Sequence, residues 1–281
     1  QSQFGTLAQG AGSSIYQTGS VVGNLAGGDI TLGTLNAGTL GSVLVAADVA
    51  GVNGSGATIK SAAADGSVLN VRAAEAELTA SRSVGEAGNH LQTAVDTLAA
   101  RADGSTSTDG IYVDEENGLT VKSVGATDGL RAINGAANVV VDVKKGALTV
   151  QAGGTPAVQA GGNVRLATLD QDDTGGSITL AQGADVRAGG NIAVIASGLV
   201  GVSDIQQHAG LTADSGSILV RTANGSIVMD AQAVSTTSAA QQNIAYHASH
   251  DIVVGQLIAG AAGVKDTLSA DSKSVVADGT R

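Results

Sequence analysis

Three near copies of one ten-residue stretch decide the fold: AGGNVRLATL at 160–169, AGGNIAVIAS at 188–197 and AGGDITLGTL at 26–35. Each copy opens on two glycines and an Asn or Asp, the residues that best accept a positive φ at a sharp corner. In each copy, apolar residues then alternate with other residues. The Val and Ile residues favour an extended strand, and the alternation turns one of its faces inward. The repeated unit is therefore a corner followed by a short, one-sided β-strand.

Weaker copies continue along the chain, and their spacing predicts the architecture. Equivalent positions recur after 25 or 26 residues, in the pairs Val43 and Val68, Ile192 and Ile218, and Ile227 and Ile252. Shorter steps of 14 residues separate Val164, Ile178 and Ile192. Such strands and corners predict the coils of a parallel β-solenoid, stacked about 4.8 Å apart. A β-sandwich or barrel is the alternative, because it also uses many short strands with Gly and Asn turns.

The composition favours an elongated fold with a thin core. The chain has 281 residues with 41 Gly, 1 Phe, 3 Tyr, 1 Met and no Trp. A globular core of this size draws much of its volume from large side chains. Here Val, Ile, Leu and Ala must fill the interior, as in a repetitive solenoid. A hydrophobic share of 43% argues against disorder, and a single Pro without a three-residue Gly period argues against collagen.

The charge balance and the missing cysteines exclude several classes of function. The formal net charge is −11, so nucleic acid and anionic membranes are poor partners. The chain has no Cys, which excludes disulfides, thiolate metal sites and thiol catalysis. No apolar run reaches 18 residues, and we expect no membrane insertion.

One segment, 86–104, departs from the repeat and predicts a helical insertion. Within 89–102, one stripe of a helix would carry the apolar residues Leu91, Val95, Leu98 and Ala102. Asn89 is a suitable N-cap with Gln92 three residues later, and Gly104 is a suitable C-terminal stop. We expect this short α-helix to pack on the flank of the solenoid.

Candidate metal ligands are concentrated in one acidic corner, LDQDDTGG at 169–176. This corner begins like a calcium-binding loop, with Asp170, Asp172 and Asp173 as candidate ligands. Its twelfth loop position is Ala181, where such loops carry Glu. The pattern therefore predicts at most a weakly bound calcium ion, and we expect no other cofactor.

Other polar segments carry weaker signals. VDEEN at 113–117 is a second acidic corner of the same kind. His247 and His250 precede a predicted strand, where residues three apart point to opposite faces, so we expect solvated histidines there. Paired carboxylates serve in polysaccharide cleavage, but the aromatic platforms that such enzymes use for sugar rings are nearly absent. We therefore expect no enzymatic activity.

The repeated AGG[ND][IV]xL units resemble those of bacterial filamentous-haemagglutinin-like exoproteins and giant repeat adhesins. The stretch GNHLQTAVDTLAAR, followed by GIYVDEENGLTV, is similar to a helix-then-strands element in very large secreted bacterial surface proteins. The resemblance covers about residues 26–257. It implies a right-handed parallel β-helix, export to the cell surface or medium, and a role in adhesion, biofilm matrix or fibre building.

We therefore expect an all-β solenoid over 26–257. Residues 1–25 are expected to form a cap or an inter-subunit strand, and residues 258–281 a final coil or an inter-subunit segment. The expected function is an extracellular rod or fibre segment of an adhesin or self-assembling filament, with head-to-tail copies or neighbouring modules as partners. A carbohydrate- or receptor-binding module that uses the loops around 85–120 is the alternative. A polysaccharide-degrading β-helix enzyme is a further alternative.

Overall fold

The computed structural model describes residues 28–48, 56–154, 156–198, 200–240 and 242–260, together with backbone strands inside 7–25 and 267–277. These residues are all-β, and they include no helix long and apolar enough to cross a membrane. Their strands stack in parallel into a solenoid of about eight turns. The predicted parallel β-helix is confirmed, and its right-handed sense stays a prediction.

The strands are mostly short and follow one another around the solenoid. The first half of the chain contains β1 (Leu7–Ala8), β2 (Ser14–Tyr16), β3 (Val21–Leu25), β4 (Ile30–Leu32), β5 (Thr34–Asn36), β6 (Ser42–Ala47), β7 (Thr58–Ser61), β8 (Val71–Ala80), β9 (Ser83–Val84), β10 (Leu91–Ala102), β11 (Gly110–Glu115), β12 (Leu119–Val121), β13 (Leu130–Ala132) and β14 (Asn138–Val143). The second half contains β15 (Leu148–Val150), β16 (Val158–Ala160), β17 (Val164–Thr168), β18 (Ile178–Leu180), β19 (Val186–Ala188), β20 (Ile192–Ala196), β21 (Ile205–Gln207), β22 (Leu211–Ala213), β23 (Ile218–Thr222), β24 (Ile227–Met229), β25 (Val234–Thr237), β26 (Ile244–Ala248), β27 (Ile252–Val254), β28 (Gln256–Ile258), β29 (Thr267–Ala270) and β30 (Val275–Ala277).

From β14 onward each coil contributes one strand to each of three faces. Face A consists of β14, β17, β20, β23, β26 and β29. Face B consists of β15, β18, β21, β24, β27 and β30, and face C of β16, β19, β22, β25 and β28. Val164 pairs with Ile192 and Ile192 with Ile218, so the register follows the sequence repeat.

The core is a set of apolar ladders inside the tube. In β14 and β20, alternate residues point inward and are buried, while their neighbours are partly exposed. The inward ladder of face A contains Val139, Val164, Ile192, Ile218 and Ile244, all at most 1% exposed. Stacked side chains of this size fill the narrow interior, which explains why the chain needs so few aromatic residues.

The repeated AGGN corner uses its glycines for close stacking. A Cβ on Gly189 would lie 2.0 Å from the carbonyl oxygen of Gly161 on the preceding coil. Neither glycine has a positive φ, so the expectation that the Gly-Gly pair provides left-handed backbone is wrong. The Asn residues form a ladder: Asn191 donates its backbone N–H to Oδ1 of Asn163 at 2.8 Å, and Asn163 does the same to Asn138 at 2.8 Å. Each corner is thereby bonded to the next.

The predicted helix at 89–102, within 86–104, is wrong. Leu91–Ala102 is instead the 12-residue strand β10, which pairs with β8 on one side and with β11, β12 and β13 on the other. Parallel neighbours on both sides satisfy the backbone, and this pairing overrides the helical preference of the alanines. Asn89 is not a helix cap, because it exchanges backbone hydrogen bonds with Glu86 in a tight turn. The chain continues from this segment into β11 and β12.

The N-terminal coils differ in register from the later ones. Val43 pairs with Ala76, so its predicted equivalence to Val68 is wrong, whereas the other two predicted pairs are confirmed. Strands β1, β2 and β3, inside 1–25, pair with β4, β5 and β6. Strands β29 and β30, inside 258–281, pair with β26 and β27. A capping or inter-subunit role for either segment stays a prediction.

One buried polar network interrupts the apolar core near the C-terminal coils. Tyr246 is fully buried and occupies the ladder position of Val220, while the small Ser235 replaces Leu211 across the tube and leaves room for the ring. The Tyr246 hydroxyl donates to Oε1 of Gln207 at 2.7 Å and lies 2.7 Å from Oγ of Ser235. Burial raises the pKa of Tyr246 far above its usual value, so the hydroxyl stays neutral and able to donate.

Replacing Tyr246 with Phe should destabilise the solenoid by about 1–3 kcal/mol, because Oε1 of Gln207 would remain buried without a donor. Equilibrium denaturation with guanidinium chloride measures this loss. An unchanged free energy of unfolding in Tyr246→Phe would show that the network contributes nothing to stability.

Candidate functional site

The acidic corner at 169–176 is built around Asp170, which is 4% exposed. Gly175 donates its backbone N–H to Oδ1 of Asp170 at 2.7 Å, and Asp173 donates its own to the Asp170 carbonyl at 3.3 Å. Asp170 and Asp173 both have positive φ, which Asp tolerates better than most residues. Oδ2 of Asp170 is buried without a hydrogen-bond partner. These residues therefore shape the corner itself.

The three predicted calcium ligands lie in different environments. Asp172 and Asp173 are exposed, whereas Asp170 is buried. The Thr174 hydroxyl donates to Asp172 at 2.8 Å, and this hydrogen bond holds the pKa of Asp172 below its usual value. Among the residues that the structure describes, the three do not form a cluster whose ligand atoms all lie within 4.8 Å of one another. Calcium binding at this corner stays a prediction.

The three carboxylates of the second acidic corner, 113–117, lie in different environments. Glu115 points into the core and is fully buried. The carboxylate of Glu116 forms an ion pair with Nζ of Lys144 at 3.0 Å. Asp114, on the opposite face of the strand from Glu115, belongs to the outer surface of β11.

Asp114 belongs to a cluster of three metal-ligating side chains, which we call the His–Asp–Asp cluster: His90, Asp114 and Asp142. One ligand atom of each lies within 4.8 Å of the others. Nδ1 of His90 is 2.6 Å from Oδ1 of Asp114. Asp142 pairs in register with Asp114 on the next coil. The three side chains come from successive coils, so only the stacking of the solenoid brings them together.

The turn after β9 positions His90. Glu86 and Asn89 exchange backbone hydrogen bonds of 3.2 and 2.9 Å, which reverses the chain and places His90 immediately before β10. The ring of Tyr112 lies beside the imidazole, with centroids 5.7 Å apart. Nε2 of Gln92 also donates to the His90 carbonyl at 3.1 Å. The imidazole is therefore held against the outer surface of β11.

Polar and cationic groups border the His–Asp–Asp cluster. Nε of Arg165 donates to Oδ1 of Asp142 at 2.8 Å, and Nε2 of Gln92 donates to Oδ2 of Asp114 at 3.0 Å. Burial alone would raise the pKa of Asp114, but the hydrogen bonds from His90 and Gln92 outweigh it and hold this pKa below its usual value. Asp114 is therefore ionised at neutral pH.

A groove of about 280 Å³ opens beside the cluster. Its walls include Asp65, Asn89, His90, Gln92 and Asp114. Oδ1 of Asn89 is buried and has no hydrogen-bond partner. The groove gives a small ion or its water ligands access to the cluster from solvent.

A second groove, of about 790 Å³, crosses face C and contains another His–Asp pair. Nδ1 of His208 is 2.8 Å from Oδ2 of Asp230. Arg187 and Gln232 also line this groove. In the part of the chain that the structure describes, no third metal-ligating side chain joins this pair within 4.8 Å. The groove is open, and polar side chains and apolar ones both line it.

The sequence patterns did not identify His90 or Asp142 as site residues, because neither lies in an acidic corner or a known motif. Their signal lies in the coil length. Asp114 is 24 residues after His90, and Asp142 is 28 residues after Asp114, each about one coil. In a parallel solenoid, polar residues one coil apart are neighbours, and a search at that spacing would have found them.

Comparisons of the chain with protein-family models, with curated proteins and with solved structures found no match. A solenoid fold alone does not determine a function, because unrelated activities share common folds. The function must therefore be argued from the stack of coils and from its surface. By its architecture the chain is a β-helix repeat protein.

Proposed function

We propose that this chain is a structural rod segment of an extracellular bacterial adhesin or self-assembling surface filament, used in adhesion or in a biofilm matrix. One observation supports this best: the strands of successive coils pair in parallel throughout the described part of the solenoid. Each coil bonds to the coils before and after it, so stability is distributed along the axis. Such a stack ends in strand edges, which are templates for pairing with another copy.

The lateral surface supports the same proposal. Ion pairs link neighbouring coils, such as Arg165 with Asp142 at 2.8 Å and Arg187 with Asp214 at 3.1 Å. The net charge of −11 makes copies of the chain repel one another side by side, and it favours solubility. Assembly along the axis is then favoured over side-by-side aggregation.

Electron microscopy of the purified chain tests the proposal. We expect filaments with an axial repeat of about 40 Å, because about eight coils each rise about 4.8 Å. Mass measurement over a range of concentrations should show growth in steps of the 27.2 kDa chain. Isolated rods of one chain's mass at every concentration would contradict self-assembly, and the chain would then be a module of a longer rod.

A carbohydrate- or receptor-binding module is the second candidate, and the groove on face C favours it. Arg187, His208 and Gln232 offer hydrogen-bonding groups along this open groove of about 790 Å³. A glycan array with the parent chain and the double variant Arg187→Ala, Gln232→Ala tests this candidate. Selective binding that the double variant loses would favour it over a purely mechanical role.

A further inference from the structure

We propose that His90, Asp114 and Asp142 form a binding site for a divalent transition-metal ion of the Zn²⁺ class. This site goes beyond the mechanical function and does not depend on it. One nitrogen and two carboxylate oxygens lie within 4.8 Å of one another, so small side-chain movements would bring all three to a single ion. The side chains of His90, Asp114 and Asp142 are 21%, 25% and 18% exposed, so an ion can enter from solvent.

The donor set selects the class of metal. Zn²⁺ binds imidazole nitrogen and carboxylate oxygen at about 2.0–2.2 Å, and three protein ligands with water completing the shell form an open site. Calcium and magnesium prefer all-oxygen sites, so the imidazole disfavours them. The proposed ion therefore depends on His90 as well as on the two carboxylates.

The register of the solenoid explains why an ion would be favoured here. Gln92, Asp114 and Asp142 occupy matching positions on successive coils, so two carboxylates stack directly above one another at about the strand spacing. Like charges opposite each other across paired strands are destabilising. Arg165 binds only Oδ1 of Asp142, and a divalent ion between the two carboxylates would neutralise the remaining repulsion.

The ligands are close to a binding geometry but must open slightly. Nδ1 of His90 and Oδ1 of Asp114 are 2.6 Å apart, as in a hydrogen bond. Two ligands at tetrahedral angles around Zn²⁺ are about 3.3 Å apart. Binding at these two atoms therefore replaces the shared proton with the ion and separates the two groups by about 0.7 Å, on the figures of the same coordination geometry. The adjoining groove provides the space for this movement.

The bound ion would tie together three successive coils near β10. His90 precedes β10, Asp114 lies on β11 and Asp142 on β14. An ion that binds the folded stack and not the unfolded chain raises the unfolding temperature. Zinc should therefore stabilise the chain as well as bind to it.

Isothermal titration calorimetry with ZnCl₂ at pH 7.5 tests the site, using the full chain. We expect one Zn²⁺ per chain and a higher unfolding temperature with zinc. His90→Gln and Asp142→Asn should each weaken binding by about a hundredfold or more, since even changes in residues that only support a metal ligand cost 10–100-fold. His208→Gln is the matched control, because it removes the other surface His–Asp pair and should leave zinc affinity unchanged.

Several results would overturn the proposal. These are no measurable zinc binding by the parent chain, undiminished affinity in folded His90→Gln, or an equal loss in His208→Gln. Equal affinity for CaCl₂ that does not depend on His90 would also overturn it. Circular dichroism confirms that each variant is folded, and His90 is a surface residue whose replacement leaves the core intact.

Discussion

Raising the pH from 5 to 8 is expected to reduce the free energy of unfolding by about 2–3 kcal/mol through Glu115 alone. This carboxyl group is fully buried, and burial raises its pKa from 4.5 to about 7. In the unfolded chain it ionises near 4.5, whereas the folded chain keeps the proton until about pH 7. The stabilisation is therefore complete below about pH 4.5, and it is lost as the pH rises through 7.

The hydrogen bonds of Glu115 explain why the group is tolerated in the core. Val95 and Asn117 donate backbone N–H groups to Oε1 at 3.0 and 3.3 Å, and the Thr93 hydroxyl lies 2.6 Å from Oε2. These contacts satisfy both oxygens, but they do not compensate for the loss of water around a charge. The protonated acid is the form that this environment favours.

Glu115→Gln should remove the decrease in the free energy of unfolding that Glu115 causes between pH 5 and 8. A Gln amide keeps an acceptor for the two N–H groups and can donate to the Thr93 hydroxyl, so it imitates the protonated acid. Urea denaturation at a series of pH values measures the slope of the free energy of unfolding against pH. Glu116→Gln is the control, because Glu116 is a partly exposed partner of Lys144 and should leave the slope in place. A slope that persists unchanged in Glu115→Gln would assign the effect to other groups.

Gly129→Ala is expected to destabilise the solenoid by about 3 kcal/mol or more. Gly129 has a φ of +59°, which costs an L-residue about 1–2 kcal/mol. A Cβ there would also lie 1.9 Å from the carbonyl oxygen of Ala157 on the next coil. This backbone cannot move aside, because Ala100 donates to the Gly129 carbonyl and Leu130 to the Ala157 carbonyl, both at 2.9 Å. Overpacking of this kind adds about 1–3 kcal/mol.

Gly38→Ala separates the cost of backbone strain from the cost of the clash between coils. Gly38 has a φ of +73°, but a Cβ there would meet nothing within 4 Å. Its replacement should cost only the backbone strain of about 1–2 kcal/mol. Guanidinium denaturation of both variants gives the difference, which measures the clash between coils. Equal losses in the two variants would mean that the stack relaxes around Gly129.

The fold could be predicted largely because the repeat is regular after residue 138. Val164 and Ile192 occupy matching places in two near copies, and they pair in the structure. The error at Leu91–Ala102 has a physical cause. Alanine, leucine and valine at these positions satisfy a helical stripe as well as a strand, and the choice was made by neighbouring strands on both sides. No local pattern contains that information.

The candidate site could be predicted only in part, for a related reason. The acidic corner at 113–117 was visible, but its three carboxylates differ in fate, since alternation sends Glu115 inward and Asp114 outward. His90 and Asp142 join Asp114 only through the stacking of successive coils. Such a site is distributed over about 50 residues, and it becomes visible once the length of each coil is known.

The AGGN corner has an evolutionary consequence. Gly161 and Asn163 stack on Gly189 and Asn191, so successive coils have equivalent corners at the same place. Duplicating or deleting a DNA segment that encodes one whole coil would preserve every ladder on both sides of the junction. The length of the molecule can therefore change by inheritance in increments of about 4.8 Å. Its two ends and its surface chemistry can be selected independently of that length.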